Sequence, residues 1–203
     1  MKSTLLTEYK PMSMGLQTQQ MITSGCLLTH MQDAVEQHGD SEPWSVVTTG
    51  CGGAFAGILG IPGASALINE IHLPYSKEAV LKASNLEDRG DIKFVSEFVA
   101  INLAQKLRHE SQTPRENVIA VTAAIPTNRD RKGENHAYMH VIRAGLPGVT
   151  YHLRFAKERP AEFSFPDLRA ARRQAVDRQL ALCILAEMND EARRTRELYM
   201  NEE

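Results

Sequence analysis

The spacing of apolar residues predicts an amphipathic helix near the start of the chain. Between Leu16 and about Gln37, apolar side chains recur every three or four positions, a period that collects them on one face of a helix. The polar run at 38–40 ends this pattern. Residues 1–15 show no clear period, so we expect them to form an N-terminal arm.

Strand and helix patterns alternate in the next part of the chain. The run from Trp44 to Thr48 is β-prone, and a glycine-rich turn separates it from the apolar segment Ala54 to Leu59, a pattern that predicts strand, tight turn and helix. The segment from Leu67 to Leu73 predicts a second strand. A short helix is predicted over Lys77 to Leu86, with Ser76 as its N-cap.

The second half of the chain predicts two longer helices, a buried strand and a hairpin. The nearly continuous apolar run Val118 to Ala124 is typical of a buried strand. The alternating segments Ala137 to Ala144 and Thr150 to Ala156 predict a β-hairpin. A closing helix is expected from Phe165 to about Asn189. A helix over Ile92 to His109 is expected to bury Val95, Phe98, Val99, Leu103 and Leu107.

This element order predicts an α/β fold, a three-layer α/β/α sandwich with a mixed, mostly parallel sheet. The domain is expected to span residues 16–190, followed by a charged tail over 191–203. In such sheets ligands bind at the carboxyl ends of the strands. The loops at 48–53 and 122–128 are therefore the first places to look for a site.

The composition is that of a packed globular domain. Of the 203 residues, 42% are hydrophobic and 24% are charged, which excludes a disordered chain. The net charge of -2 provides no global positive field to hold a nucleic-acid backbone. We therefore expect no nucleic-acid partner, and a polyanionic partner must be small or locally bound.

Cysteine usage and the N-terminal region favour a cytoplasmic protein. The cysteines at positions 26, 51 and 183 are too far apart in sequence for a CxxC metal pair, and their odd number does not suit a disulfide framework. The N-terminal region lacks the continuous apolar core of a signal peptide. Residues 45–69 carry no charge, but they are rich in glycine and poor in the side chains that favour insertion, so we expect no membrane association.

The turn in VVTTGCGGAFAG, residues 46–57, is the first candidate for chemistry. Glycines between a strand and a helix can present backbone N–H groups to a phosphate, or can simply let the two elements pack closely. The turn is neither a Walker loop nor a dinucleotide fingerprint, because no Gly-Lys-Ser/Thr follows and Phe55 occupies a position that needs a small residue. The turn offers three candidate nucleophiles, Thr48, Thr49 and Cys51. The alternative is that the two threonines cap the helix and that the cysteine is a small buried residue.

Two other groups of residues have less specific patterns. His136 and His140 are four residues apart, which suits a shared metal ion only on a helix. On the strand predicted there they are roughly 13 Å apart, so we expect ordinary histidines and no metal site. The closing helix carries four arginines that either bind a phosphate or form a solvated face, namely Arg169, Arg172, Arg173 and Arg178.

Several motifs together indicate a family. The glycine-rich turn is followed by PGAS at 62–65 and YS at 75–76, and RRQA stands at 172–175. Over most of residues 16–188 the chain resembles the C-terminal domain of the CinA family, the nicotinamide-nucleotide amidases. The resemblance implies a three-layer α/β/α domain, usually a homo-oligomer, whose partner is a small-molecule mononucleotide. It implies hydrolysis of nicotinamide mononucleotide to nicotinate mononucleotide and ammonia, without a metal or other cofactor.

The resemblance also implies roles for individual residues. Thr49 stands where the family has its nucleophilic serine, and the N–H groups of Gly52 and Gly53 match an oxyanion hole. Arg172 or Arg173 would lie near the phosphate. The implied catalytic group is Thr49, Lys77, Tyr75 and Thr122, and the implied substrate-binding group is Thr48, Cys51, Gly52, Gly53, Ser76, Arg172 and Arg173.

The chain departs from the family pattern where the chemistry should be. Val80 stands where the family has the lysine that accepts the hydroxyl proton, so Lys77 or Lys82 would have to substitute. The glycines of a second family loop are replaced at 123–126. These losses leave two alternatives to an amidase. One is a non-catalytic pseudo-enzyme that binds a nucleotide or acts as an oligomeric interaction protein; the other is an unrelated hydrolase that uses Cys51 with His72 as its base.

Overall fold

The computed structural model describes residues 27–37, 42–111, 116–126, 133–155 and 166–200, with the side chains of the last helix described at 170 and 173–189. The predicted arm at 1–15 and most of the polar loop after 126 lie outside these residues. The strands are β1 (Trp44–Thr48), β2 (Ile68–His72), β3 (Asn117–Ala124), β4 (Asn135–Ile142) and β5 (Val149–Phe155). The helices are α1 (Leu27–Gln37), α2 (Gly52–Phe55), α3 (Ala64–Leu67), α4 (Lys77–Ser84), α5 (Glu97–Glu110) and α6 (Pro166–Met200), with a 3-10 helix over Ala56–Gly60.

The five strands form one mixed sheet in the order β2-β1-β3-β4-β5. Strand β1 runs parallel to β2 and β3, whereas β4 runs antiparallel to β3 and to β5. The expected mostly parallel sheet is therefore corrected to one in which two of the four pairs are parallel. The connection at 125–134 is shorter than the crossover of about a dozen residues or more that a parallel neighbour needs, so β4 must return beside β3.

Helices flank both faces of the sheet. On one face, α1, α2 and α6 pack over Trp44, Val46 and Ile119. On the other face, α4 and α5 pack over Val47 and Val118. Because neighbouring residues of a strand point to opposite faces, this arrangement buries every residue of β1. The predicted helix-sheet-helix layering is confirmed, and the predicted hairpin is β4 and β5.

Several element boundaries differ from the sequence pattern. The helix predicted at 54–59 is one α-helical turn followed by the 3-10 helix, because Gly57 and Gly60 are weak helix formers and Pro62 follows. Helix α5 begins at Glu97 rather than at the predicted Ile92. Ser96 is its N-cap, because the Ser96 hydroxyl accepts a hydrogen bond from the backbone N–H of Val99 (3.3 Å). Phe98, predicted to be buried, is 58% exposed.

The ends of the first and last helices also differ from the pattern. The described part of the first helix begins at Leu27, and the predicted segment at 16–26 lies outside the described residues. Helix α6 continues to Met200, beyond the predicted end at Asn189. Within the described residues, no helix is both long enough and apolar enough to cross a membrane.

Candidate functional site

The turn from β1 into α2 is built around two side chains, Thr48 and Asp177. The buried Thr48 hydroxyl donates to the carbonyl of Gly50, accepts from the N–H of Gly50 (3.2 Å), and lies 3.6 Å from the Cys51 sulfur. Cys51 adopts a left-handed backbone conformation with φ 56°, and its N–H donates to Asp177 Oδ1 of α6 at 3.1 Å. Thr48 and Asp177 thus hold the turn from both sides.

Two of the glycines in this turn are required by close packing. A Cβ at Gly50 would lie 2.8 Å from the Ala123 Cβ of β3, and one at Gly52 would lie 2.8 Å from a methyl group of Leu73. A Cβ at Gly53 would have no neighbour within 4 Å. Gly50 and Gly52 therefore fit the packing explanation of the turn, whereas the backbone at Gly53 is open to an approaching molecule.

Thr49 lies where the ends of β1 and β3 meet. Its N–H donates to the Val121 carbonyl at 3.0 Å, and its hydroxyl oxygen accepts from the Ala123 N–H at 3.2 Å. The hydroxyl is therefore positioned by β3, at the carboxyl ends of two parallel strands. The structure places the predicted nucleophile where ligands bind in sheets of this kind.

Cys51 has the properties of a structural cysteine. It is 1% exposed, and burial raises the pKa of its thiol to about 12, so the thiol is protonated near neutral pH. His72 is paired with Glu70, with 2.6 Å between Nε2 and Oε2. His72 aligns with Val47, which packs on the α5 side of the sheet, whereas Cys51 packs on the opposite side. The cysteine hydrolase alternative therefore lacks both an activated thiol and a nearby base.

Arg173 of α6 brings a cation to the carboxyl ends of the strands. Its Nη1 donates to the Pro126 carbonyl at 3.5 Å, and its Nη2 donates to the Tyr75 hydroxyl at 3.4 Å. Tyr75 is 79% exposed, and Arg173 also interacts electrostatically with Asp177. Residues from three distant parts of the chain thus meet here. The side chain of Arg172 lies outside the described residues.

The amine predicted to act as the base is engaged elsewhere. The Lys77 Nζ lies 2.9 Å from Asp88 Oδ2 and 5.8 Å from the centre of the Phe94 ring. Ser76 has the capping role predicted for it, because its hydroxyl accepts from the N–H of Ala79 at 3.1 Å. Val80 is buried in the apolar cluster under α4 and α5, where an amine would be unfavourable.

Thr122 lies on the α5 side of the sheet, opposite to the side on which Cys51 packs. Its hydroxyl donates to the Ser96 carbonyl at 3.2 Å, just before α5, and its β3 neighbour Val121 packs on the opposite side. The structure therefore brings together Thr48, Thr49, Cys51, Gly52, Gly53, Tyr75 and Arg173. It directs the Thr122 hydroxyl toward the Ser96 carbonyl and the Lys77 amine toward Asp88.

Asp177 is the residue of this site that the sequence reasoning missed. Burial raises the pKa of its carboxyl, while the Cys51 N–H and Arg173 lower it. Asp177 follows Arg173 by four residues, and this spacing puts both side chains on one face of a helix. The spacing could have linked Asp177 to Arg173 from the sequence. It could not have shown the contact between Asp177 and Cys51, because these residues are far apart in sequence.

A groove lies elsewhere, along the connection between α4 and α5. Its volume is about 670 Å³, and its walls mix the cations Arg89 and Lys93 with the carboxylates Glu87 and Asp91. This mixture of charges gives it no preference for an anionic ligand. Among the residues that the structure describes, no group of three or more His, Cys, Asp and Glu side chains is arranged to hold a metal ion.

The fold is that of the CinA superfamily. The competence/damage inducible protein CihA from Agrobacterium tumefaciens is 19% identical, with a TM-score of 0.59 over 79% of this chain and 96% of that one. A CinA superfamily protein from Klebsiella pneumoniae 700603 is 12% identical, with a TM-score of 0.62 over 84% of this chain and 99% of that one. A CinA superfamily protein from Enterobacter cloacae is 14% identical, with a TM-score of 0.57 over 95% of this chain and 99% of that one.

The resemblance stated from the turn motifs is confirmed for the fold, at sequence identities between 12% and 19%. No protein-family model matches the chain, and no curated protein matches it. The likeness therefore concerns the architecture, and the activity of this chain has to be argued from its own side chains.

Proposed function

We propose that this protein binds a pyridine mononucleotide at the β1–α2 turn and does not hydrolyse its amide. The observation that carries the proposal is the position of Arg173 on α6. Its guanidinium contacts Pro126, which follows β3, and Tyr75, which follows β2, at the carboxyl edge of the sheet. An arginine suits a phosphate because its planar fork of N–H donors matches two phosphate oxygens. The two hydrogen bonds that hold it are long, at 3.4 and 3.5 Å, so a phosphate can compete for its donors.

The surroundings of Arg173 suit the rest of such a ligand. The exposed ring of Tyr75 offers an aromatic face to a pyridine ring. The open backbone at Gly53 allows a ligand to approach the turn closely. The small anionic partner expected from the overall charge is consistent with a local cation at Arg173.

The absence of hydrolysis is argued from the missing base. In a serine–lysine type of mechanism, an amine must take the proton of the attacking hydroxyl. Lys77 is ion-paired with Asp88, Val80 is buried, and the contacts of the Thr49 hydroxyl join it to β3. The pseudo-enzyme alternative therefore fits the geometry better than the amidase. The homo-oligomer implied by the family resemblance stays part of the proposal, and light scattering tests it.

The test is thermal unfolding with nicotinamide mononucleotide or nicotinate mononucleotide, with ammonia measured in the same samples. A ligand at a hundredfold excess over its Kd stabilises the native state by about 2.7 kcal/mol. Each kcal/mol raises Tm by roughly 2–4 °C for a chain of this size. We expect a clear rise in Tm and no ammonia.

Arg173→Gln is expected to abolish the rise in Tm, while Arg154→Gln, an exposed arginine on β5, should keep it. Ammonia release above the buffer rate would contradict the non-catalytic part of the proposal and would point to Thr49 as the nucleophile. If the Thr49→Ala variant then released no ammonia, the amidase activity would be established. An unchanged Tm with both nucleotides at millimolar concentration would overturn the binding proposal.

A further inference from the structure

A second group of polar side chains lies on the sheet face that α5 partly covers. Across β3, β4 and β5, Thr122 aligns with Tyr138 and His152, and the next row aligns His136 with Arg154. Helix α5 packs mainly over β3 and β4, which leaves the outer face of β5 more open. His136 and His152 are therefore diagonal neighbours on adjacent strands, and both are only partly buried.

The rings of these two histidines are spaced as two ligands of one ion. Their centroids are 5.6 Å apart, and their planes are perpendicular at 88°. Two imidazoles on one tetrahedral ion have centroids about 5 Å apart, since the metal–nitrogen bond is about 2 Å long. The observed separation of 5.6 Å is close to this value. The partner of His136 is thus His152, across the sheet, rather than His140 on the same strand.

Each ring is also held in place by a second contact. The Nδ1 of His136 lies 3.1 Å from the backbone carbonyl of Glu134, and a carbonyl only accepts, so Nδ1 carries the proton and Nε2 keeps its lone pair. Metal-binding histidines usually make this kind of hydrogen bond with their other nitrogen. His152 stacks on Tyr138, with centroids 4.4 Å apart and an interplanar angle of 4°.

Charged groups of both signs lie around the pair. The carboxylates of Glu134 and Glu97 and the guanidinium of Arg154 lie close enough to His152 to interact electrostatically. Glu97 comes from the first turn of α5, so the negative charge approaches the pair from the helix as well as from the sheet.

We infer that His136 and His152 form a two-imidazole site for a divalent transition-metal ion of the zinc or copper type. Imidazole nitrogen is a preferred ligand of both ions. No third His, Cys, Asp or Glu of the described residues completes the set, so water or a solute would fill the remaining positions. The bound ion would link β4 to β5. This site lies on the α5 side of the sheet, and the inference does not depend on nucleotide binding at the turn.

The test uses the full chain, freed of metal and titrated with Zn²⁺ against a chromophoric chelator. We expect one equivalent to bind and Tm to rise, because an ion that binds only the folded chain stabilises it. With Cu²⁺, electron paramagnetic resonance should show coupling to two imidazole nitrogens. His136→Gln and His152→Gln should each weaken binding by about tenfold or more.

The matched control is His109→Gln, an exposed histidine on α5 away from the pair, which should bind as the unchanged chain does. Metal-free Tm values of the variants show whether each still folds. Binding that persists in both His136→Gln and His152→Gln would place the ion on other side chains and overturn the inference. The absence of any binding to the unchanged chain, with both Zn²⁺ and Cu²⁺, would overturn it equally.

Discussion

Asp177 shows how one distant side chain can set the conformation of a turn. Cys51 has a positive φ that a residue with a Cβ rarely adopts, and the hydrogen bond from its N–H to Asp177 helps to offset that strain. The same carboxylate lies near Arg173, the cation on which the proposed binding depends. Asp177 is therefore a positioning residue for both the turn and the cation.

Asp177 should also give the free energy of unfolding a distinct pH dependence. Burial raises its pKa above 3.8, so folding favours the protonated carboxyl. Its stabilising contribution is complete below the ordinary pKa and is lost as pH rises through the raised pKa of the folded state. Asp177→Asn, which keeps an oxygen for the Cys51 N–H, should remove this slope just above pH 3.8.

Chemical denaturation of both proteins at a series of pH values measures this effect. The pH curves of Asp177→Asn and the unchanged chain should differ most just above pH 3.8, where only the unchanged chain titrates this group. Parallel curves over that range would show that Asp177 titrates normally.

The β1–α2 connection illustrates how packing fixes an element that the pattern predicts only roughly. The Thr48 hydroxyl and the contact between Gly50 and β3 draw the turn against the sheet. The short helix that follows is closed by a hydrogen bond from the Phe55 N–H to the Cys51 carbonyl (2.8 Å). A helix of one turn gains little from its own hydrogen bonds, so the packing of Phe55 in the core stabilises it.

Gly50→Ala should destabilise the fold far more than Gly53→Ala. The new Cβ at 50 would meet Ala123, a small residue on a central strand that has no room to move, 2.8 Å away. Overpacking of this kind costs roughly 1–3 kcal/mol. Gly53 has open space around it and is the matched control. Urea unfolding of the two variants measures the difference in stability. Equal unfolding midpoints would mean that β3 moves to make room for the new Cβ.

In the whole molecule, a buried ion pair joins the end of β4 to the closing helix α6. Arg143, just after β4, donates to Glu187 of α6, and their side chains are only 5% and 8% exposed. Tyr151 of β5 forms hydrogen bonds with both groups, and burial raises its pKa. The hairpin is thereby tied to the closing helix, which also carries Arg173 and Asp177 to the candidate site.

Replacing one member of this pair should cost more than replacing both. Arg143→Met leaves the Glu187 carboxylate buried without its charge partner, and such a change costs about 3–5 kcal/mol. The double variant Arg143→Met with Glu187→Leu should regain most of that loss, because it removes both buried charges. Urea unfolding of the single and double variants measures the coupling. Additive losses would show that the two charges are independent.

The local pattern along the chain was sufficient for the order and type of most elements. Apolar spacing reports which face of a segment is buried, so it predicted β1, β3, the hairpin and the helix capped by Ser76. It also marked the turn at 48–53, which the structure places at the carboxyl ends of parallel strands. The family motifs predicted the fold, as the comparisons confirm.

Folding in three dimensions settled which side chains meet. The family resemblance grouped Thr122 with Thr49, and only the structure shows that the Thr122 hydroxyl is bonded to the Ser96 carbonyl just before α5. The resemblance also offered Lys77 as a base, but an exposed carboxylate in the next connection, Asp88, pairs with that amine. The contacts of Asp177 with Cys51 and of His136 with His152 join residues distant in sequence. Such contacts depend on how separate segments pack, and no local period of apolar residues records that packing.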